Sequence, residues 1–454
     1  MKNMSLKKVT SYLTVSLVLF VFCFIGACSP DSITKQSVKE PDQGDVASED
    51  EITTTAEEKK DDKQVTGKYK NEVLYFEIGI DEGSKHFEHR VANLYATGIK
   101  GQESRLIYSD IDDFYGLSEV FGISPDNKKI LCRISDDAKG LYNTICYIDI
   151  DNGSLHSLKE YDFENEEELS EGAYGRPVWS NDSEKVAMLT VKNPYRPEIS
   201  FGHLSIIDIN TKTEKKIDIK EELIAGNNIL SPVLFNSDSS GLYVTVKQLM
   251  QKIEDDIVLG AFEKYEGIAE IDIDSGDIDY LLDADEVKNI DPETISSMDN
   301  FSLVEGLSTV VFDLLLDFED DGDIYALNTS EKTLRRITGD KGFREQQPTV
   351  AYSDGDITVA YTAVNRYGTI SNDLKTGSIL ITEGFDAEKT TDTMQIGKDP
   401  AFSDDGSYLA FLDLELDENN EYIKQYTVKI YDLSSGDTNT IFSSAGILFL
   451  VGWI

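Results

Sequence analysis

Phe402-Ser403-Asp404-Asp405-Gly406-Ser407-Tyr408-Leu409 strings together a large apolar residue, a Ser-x-Asp-Gly turn and a second apolar run. The same order returns in Ile123-Ser124-Pro125-Asp126-Asn127-Lys128-Lys129-Ile130, in Trp179-Ser180-Asn181-Asp182-Ser183-Glu184-Lys185-Val186 and in Phe235-Asn236-Ser237-Asp238-Ser239-Ser240-Gly241-Leu242. Tyr352-Ser353-Asp354-Gly355 reads as a further copy. The apolar anchors at 123, 179, 235, 352 and 402 are spaced by 56, 56, 117 and 50 residues, and 117 is two periods, so one degenerate copy lies between 235 and 352.

Each copy has a physical reading. The anchor ends a strand, the Ser-x-Asp segment is a tight turn whose side chains bond its own backbone amides, and the next apolar run is the second strand of a hairpin. Most copies continue into a third strand that ends in a polar turn: Ile145 to Ile150 before Asp151-Asn152-Gly153, Leu204 to Ile209 before Asn210-Thr211, Ile268 to Ile273 before Asp274-Ser275-Gly276, and Val428 to Leu433 before Ser434-Ser435-Gly436. A fourth strand follows, as in Leu155 to Leu158. Four antiparallel strands per period of about 50 residues make one blade of a β-propeller, so the expected fold is all-β. Thr309 to Phe312, Ile324 to Leu327 and Leu334 to Ile337 supply the degenerate blade. Glu72 to Ile78, Asn93 to Thr97 and Arg105 to Tyr108, joined by Gly446 to Trp453 from the other end of the chain, supply a seventh blade of mixed origin. Seven blades closed by the C-terminal strand is the expectation; six or eight stay open.

The aromatic-Ser-x-Asp-Gly turn of Phe402 to Gly406, with the strand ends Ile148-Asp149-Ile150, Ile207-Asp208-Ile209 and Ile271-Asp272-Ile273, resembles the TolB-like, WD-repeat-like propeller family over residues 71 to 454. The resemblance implies a scaffold and no particular chemistry. An acidic segment stands where TolB carries an N-terminal α/β domain.

That segment follows an address. Lys2, Lys7 and Lys8 precede a mostly apolar run of 15 residues, Leu13 to Ala27, too short for a comfortable bilayer span. The run ends in Ile25-Gly26-Ala27-Cys28, which resembles the bacterial lipobox and implies cleavage of residues 1–27 and lipidation of Cys28. Residues 28–68 then form a tether: from 29 to 68 there is no aromatic residue, and charge of both signs is dense, so ordering is not offset by burial. A coil of that length spans roughly 35 Å on average. The propeller takes 69–454.

Charge excludes one class of partner. The chain of 454 residues has 85 Asp+Glu against 42 Lys+Arg, a formal charge of -43. Loss of three lysines with residues 1–27 leaves 39 minus 85, or -46. Nucleic acid is repelled by such a balance. At 40% hydrophobic the chain still has enough apolar surface for a core.

A search for catalytic motifs finds no Gly-x-Ser-x-Gly elbow, no His-Glu-x-x-His, no phosphate-cradling loop and no Cys-x-x-Cys. His86 and His89 have no evident third metal ligand and read as surface histidines. Asp317, Glu319, Asp321 and Asp323 place acids at alternate positions around Gly322, but the twelfth position of that stretch is Asn328 and not Glu, so an EF-hand is out. A solvated acidic turn and a loose calcium site stay open there. Cys132 and Cys146 sit on the second and third strands of one hairpin; a disulfide follows if the register places them on one face, and a one-residue slip prevents it.

In a four-stranded blade the Ser-x-Asp turns share one end, while the loops from second to third strand and from fourth to next first strand share the other. The second set varies: Asp136-Asp137, Glu254 to Asp256, Asp317 to Asp323 and Asp413 to Glu421, with Tyr195, Arg196, Arg366 and Tyr367 among them. Varied loops on a repeated scaffold read as a binding surface. The expectation is therefore a monomeric, membrane-anchored extracytoplasmic lipoprotein that binds a protein, peptide or glycan without catalysis. A hydrolase or lyase with a metal in the propeller channel, and a Tol-like envelope component, are the alternatives.

Overall fold

In this computed structural model the described residues run from Asn71 to Ile454, interrupted at 81–89, 102–103, 111–114, 137–140, 162–170, 193–201, 218–227, 255–256, 291–294, 305, 317–321, 340–342, 354, 366–375 and 417–422. The leader and tether expected over 1–68 lie outside them.

The fold is all-β, with four four-stranded antiparallel sheets and one eleven-stranded sheet in which successive units are joined by a parallel pair at Gly322↔Arg344 and by a shared strand. Strands β1 (Glu72–Ile80), β2 (Arg90–Gly98) and β3 (Arg105–Asp110) come first. Then β4 (Tyr115–Ile123), β5 (Lys129–Asp136), β6 (Leu141–Asp149) and β7 (Leu155–Glu160) form one meander. The next is β8 (Glu171–Trp179), β9 (Lys185–Lys192), β10 (Gly202–Asp208) and β11 (Glu214–Lys216). The third is β12 (Asn228–Phe235), β13 (Gly241–Glu254), β14 (Ile257–Asp272) and β15 (Ile278–Leu282). A one-turn-plus helix, α1 (Ala284–Ile290), leads into β16 (Ile295–Val304), β17 (Thr309–Leu316), β18 (Gly322–Asn328) and β19 (Thr333–Arg336).

The last two units share a strand. β20 (Phe343–Ser353), β21 (Asp356–Asn365) and β22 (Gly377–Glu383) are followed by β23 (Thr390–Phe402), whose first half pairs with β22 and whose second half pairs with β24 (Tyr408–Leu416). The corner falls at Gly397, where a Cβ would lie 2.5 Å from a ring carbon of Phe411 and 2.7 Å from the Leu412 carbonyl oxygen, so only glycine lets the chain turn there. β25 (Ile423–Asp432) and β26 (Thr438–Ser444) complete that unit. Finally β27 (Ile447–Trp453) returns to pair with β1 from Val73↔Trp453 to Ile78↔Ile447, giving the sheet order β27-β1-β2-β3. Glu72 and Ile454 exchange backbone hydrogen bonds of 3.0 and 2.9 Å, so the two ends of the propeller region are held together without a covalent turn.

The repeated turn works through side-chain chemistry. Ser124 Oγ donates to Asp126 Oδ1 at 2.6 Å and accepts from the Lys129 amide at 2.9 Å. Ser403 repeats this with Asp405 and the Tyr408 amide, and Asn236 accepts from the Gly241 amide in the same place. The residue after the Asp adopts positive φ: Asn127 (56°), Ser183 (60°), Ser239 (59°) and Gly406 (67°). Neighbouring turns interlock, since the Asp126 amide donates to Ser183 Oγ and the Asn181 amide donates to Ser239 Oγ. At the expected copy Tyr352 to Gly355, Ser353 and Asp356 are register partners, and Asp354 lies outside the described residues.

The strand-end aspartates are caps as well. Asp149, Asp208, Asp272 and Asp432 each accept from the amides two and three residues on, at 2.7 to 3.2 Å. Both families of turn lie at one end of the strands, tied by bonds such as the Ile150 amide to the Lys128 carbonyl at 2.9 Å. The two tryptophans follow one rule: Trp179 Nε1 donates to the Gly122 carbonyl and Trp453 Nε1 to the Ala401 carbonyl, each one residue before the anchor of the preceding inner strand. Trp453 thus fills an anchor position, and β27 is an inner strand by the same bond that marks β8. Apolar clusters between successive sheets, such as Ala187, Leu204, Phe235, Val244 and Ile271, supply the core, with each fully buried Leu, Ile or Phe worth about 1.5–3 kcal/mol against exposure.

Candidate functional site

The two ends of the strands differ. At the turn end the connections after β4, β6, β8, β10, β12, β14, β23 and β25 are short and bonded to their own backbone. At the other end one hairpin stands out. β13 and β14 have 14 and 16 residues and pair without a break in direction from Gly241↔Asp272 to Glu254↔Ile257, whereas the corresponding second strands β5, β9 and β17 have 8 residues each. Six further residues at about 3.3 Å carry the hairpin roughly 20 Å past its neighbours. Lys247 Nζ sits 4.7 Å from the centroid of the Tyr265 ring, its cross-strand partner, at the base of this arm. Glu254, expected in a loop, ends β13 and pairs with Ile257, while Asp255 and Asp256 lie outside the described residues. The flanking segments, Leu249 to Ile253 and Ile257 to Phe262, carry the β-favouring residues that extend the pairing.

Asp413, also expected in a loop, lies within β24: it pairs with Thr427 in register and accepts from Lys429 Nζ at 2.6 Å. Asp136 likewise ends β5. Of the site residues expected from sequence, Cys28, His86, His89, Tyr195, Arg196, Asp317, Glu319, Asp321, Arg366 and Tyr367 lie outside the described residues. Asp323 lies inside them, on β18, 6% exposed, and accepts from Arg336 Nη2 at 2.6 Å. That carboxylate already has a cationic partner. Among the described residues no group of three or more His, Cys, Asp or Glu is arranged to hold a metal ion, and no helix is long and apolar enough to cross a membrane. Cys132 and Cys146 are direct register partners, both buried, both free thiols.

Sequence reading missed a polar chain along the inner strands. β16, β20 and β23 each bulge at the same level, and the bulged residue takes positive φ: Asn300 (52°), Gln347 (58°) and Asp399 (52°). Their side chains and backbone link three successive units. Asn300 Nδ2 and the Gln347 amide donate to Asp313 Oδ2 at 2.8 and 2.7 Å. Gln347 Nε2 donates to Asp399 Oδ1, and the Asp399 amide returns a bond to Gln347 Oε1 at 3.1 Å. Asp313 Oδ1 is buried without a hydrogen-bond partner. Burial first, with the nearby Asp299 charge, pushes the Asp313 carboxyl above the ordinary range despite the bonds from Gln347 and Asn300. The one sequence signal is a proline just after the bulge, Pro348 and Pro400, which fixes the extended backbone beyond it.

Next to this chain lie two more buried carboxyls, Asp323 and Glu345. Asp313, Asp323 and Glu345 are the only acids below 9% exposure among the described residues, and all three sit where β17 and β18 meet β20. Glu345 is pushed up to about 8, by burial first and by the Asp323 carboxylate beside it, against the Thr338 hydroxyl and Arg336. Burial and the neighbouring carboxylate thus both favour the protonated form of Glu345.

No family model and no curated protein matches the chain. Among solved structures it is similar to TolB from Acinetobacter baumannii (12% identity, 84% of this chain and 82% of that one, TM-score 0.38) and to an oligogalacturonate lyase from Vibrio parahaemolyticus (15%, 81% and 84%, 0.45). It is also similar to the β-propeller domain of the Trilobed protease from Pyrococcus furiosus, which has an open velcro topology (11%, 82% and 95%, 0.44). These neighbours mix enzymes with TolB. At such scores they carry no argument about function, and the propeller assignment rests on the strand pairing itself.

Proposed function

We propose that this chain is a lipid-anchored extracytoplasmic protein whose propeller binds a protein, peptide or glycan through its loop end and performs no chemistry of its own. The observation that carries the reading is the division between the two ends. Ser, Asp and Asn side chains saturate the turn end internally, while the opposite end bears the β13–β14 arm and the connections that differ from unit to unit. The lipobox-like Ile25 to Cys28 supports the anchor.

Two experiments test it. Cys28→Ala should move the protein from the membrane to the soluble fraction, and retention in the membrane refutes the anchor. Photo-crosslinking residues placed singly at Glu254 and Leu416, and at Asn152, Ser275 and Ser435, compare the ends in the native envelope. Adducts from the first pair alone support the reading. Adducts confined to the second set, or none from either, overturn it.

A further inference from the structure

We propose that Cys132 and Cys146 form an intramolecular disulfide when the chain folds under oxidising conditions, and that the native fold then preserves whichever redox state it was folded in. The proposal stands on register. The two residues face each other directly across β5 and β6, between the pairs Ile130↔Ile148 and Ile134↔Thr144. Directly opposed residues of an antiparallel ladder share a face, with Cα atoms about 4.5–5.5 Å apart, inside the window of roughly 4.4–6.8 Å that a disulfide spans. The Cys132 thiol already leans across the ladder, donating to the Cys146 carbonyl oxygen at 3.6 Å. A side-chain rotation, with no shift of either strand, brings sulfur toward sulfur.

Access separates the folding chain from the folded one. Cys132 and Cys146 are 0% and 2% exposed and pack among Leu74, Leu94, Ile130 and Ile148. Thiol exchange needs a thiolate that can reach a disulfide. Burial, ahead of the charge of the neighbouring Cys146, pushes the Cys132 thiol well up; burial, ahead of Glu160, pushes Cys146 up to about 12. In the unfolded chain both thiols are ordinary. One thiolate attacks an external disulfide such as oxidised glutathione, releasing one glutathione thiolate and leaving a mixed disulfide. The second cysteine then attacks that bond and releases the second. Two protein thiols lose two electrons and two protons, and the glutathione disulfide is reduced to two thiols.

The test uses the full chain with Cys23→Ser and Cys28→Ser, so that only this pair remains. The protein is unfolded in guanidinium and refolded either with a reduced and oxidised glutathione mixture or with a reductant, then alkylated after denaturation and weighed. The oxidative arm should give a mass 2 Da lower with no alkylation. The reductive arm should give two alkylations, and should keep both after hours in oxidised glutathione while native. Two free thiols or glutathione adducts after oxidative refolding overturn the bond. Oxidation of the native reduced protein as fast as of the denatured chain overturns the protection. If refolding is inefficient, expression in a reducing and in an oxidising compartment yields the same two states and the same two readings.

Discussion

Replacing Glu345 by Gln should make the protein more stable above neutral pH and leave it nearly unchanged near pH 5. Glu345 is 2% exposed, and its carboxyl is pushed up to about 8 by burial first and by Asp323, against the Thr338 hydroxyl and Arg336. In the unfolded chain a glutamate titrates near 4.3. Between those values the native state holds a proton that the unfolded state has released. The protonated form therefore gives its full stability below about pH 4, and that contribution is lost as the pH rises toward 8. At about 1.4 kcal/mol per pH unit, the loss between pH 5 and pH 7 is at most about 3 kcal/mol, and relaxation around Asp323 reduces it. Gln reproduces the neutral carboxyl: it donates to Asp323, accepts from Thr338 and does not titrate. Urea unfolding of both proteins at pH 5, 6, 7 and 8 reads the difference directly. The gap should open in favour of Glu345→Gln by about 1–3 kcal/mol with unchanged slope on denaturant. A gap that stays constant with pH, or one that closes as pH rises, refutes a proton held at this seam.

Three other outcomes follow from the geometry. Deleting 446–454 strips the inner strand from β1 and removes the Trp453 bond to Ala401, so cooperative melting should be lost throughout and not at one end; an unchanged calorimetric transition would show closure by another route. Ser180→Ala removes an oxygen that accepts from the Lys185 amide at 2.9 Å at a fully buried position, and should cost about 1–2 kcal/mol in urea unfolding, whereas an exposed serine such as Ser275 should cost less. Asp272 is held below the ordinary carboxylate range by the Ser275 amide first, so its stabilising charge is present above about pH 4 and lost as the pH falls below it. Asp272→Asn should therefore weaken the fold at pH 7 and not at pH 2.5, as read by melting temperature.

The hairpins were legible in the sequence because the chemistry that makes them is local. Ser124 reaches Asp126 and the amide of Lys129, all within five residues, so a short window holds the whole cause. The closing strand was legible for a different reason: Leu448 to Trp453 is too apolar to be left outside, and the first three strands lack an inner partner. The inner-strand chain was not legible. Asn300, Asp313, Gln347 and Asp399 meet only after three units have packed, and their bonds span 13, 34 and 52 residues. Gln347 also gives no hint of positive φ, which its neighbours Asn300 and Asp399 tolerate better. Helix α1 was missed although its signal was present. Asp283 caps the amides of Asp285 and Glu286 at 2.9 Å, and Glu286 returns a bond to the Asp283 amide, the reciprocal pattern that Asp-x-x-Glu announces.

The positions of the buried acids and of the turns bear on where variation is tolerated. A strand-end acid is held below the ordinary carboxylate range by groups of its own loop: Asp208 by the Thr211 amide first, Asp432 by the Ser434 hydroxyl first. At the seam of β17, β18 and β20, Asp313 accepts from Asn300 of its own unit and from Gln347 of the next, so it cannot change alone. The inner strands of three units are thus coupled through shared bonds, whereas the capping bonds of a strand-end aspartate such as Asp208 stay within its own loop.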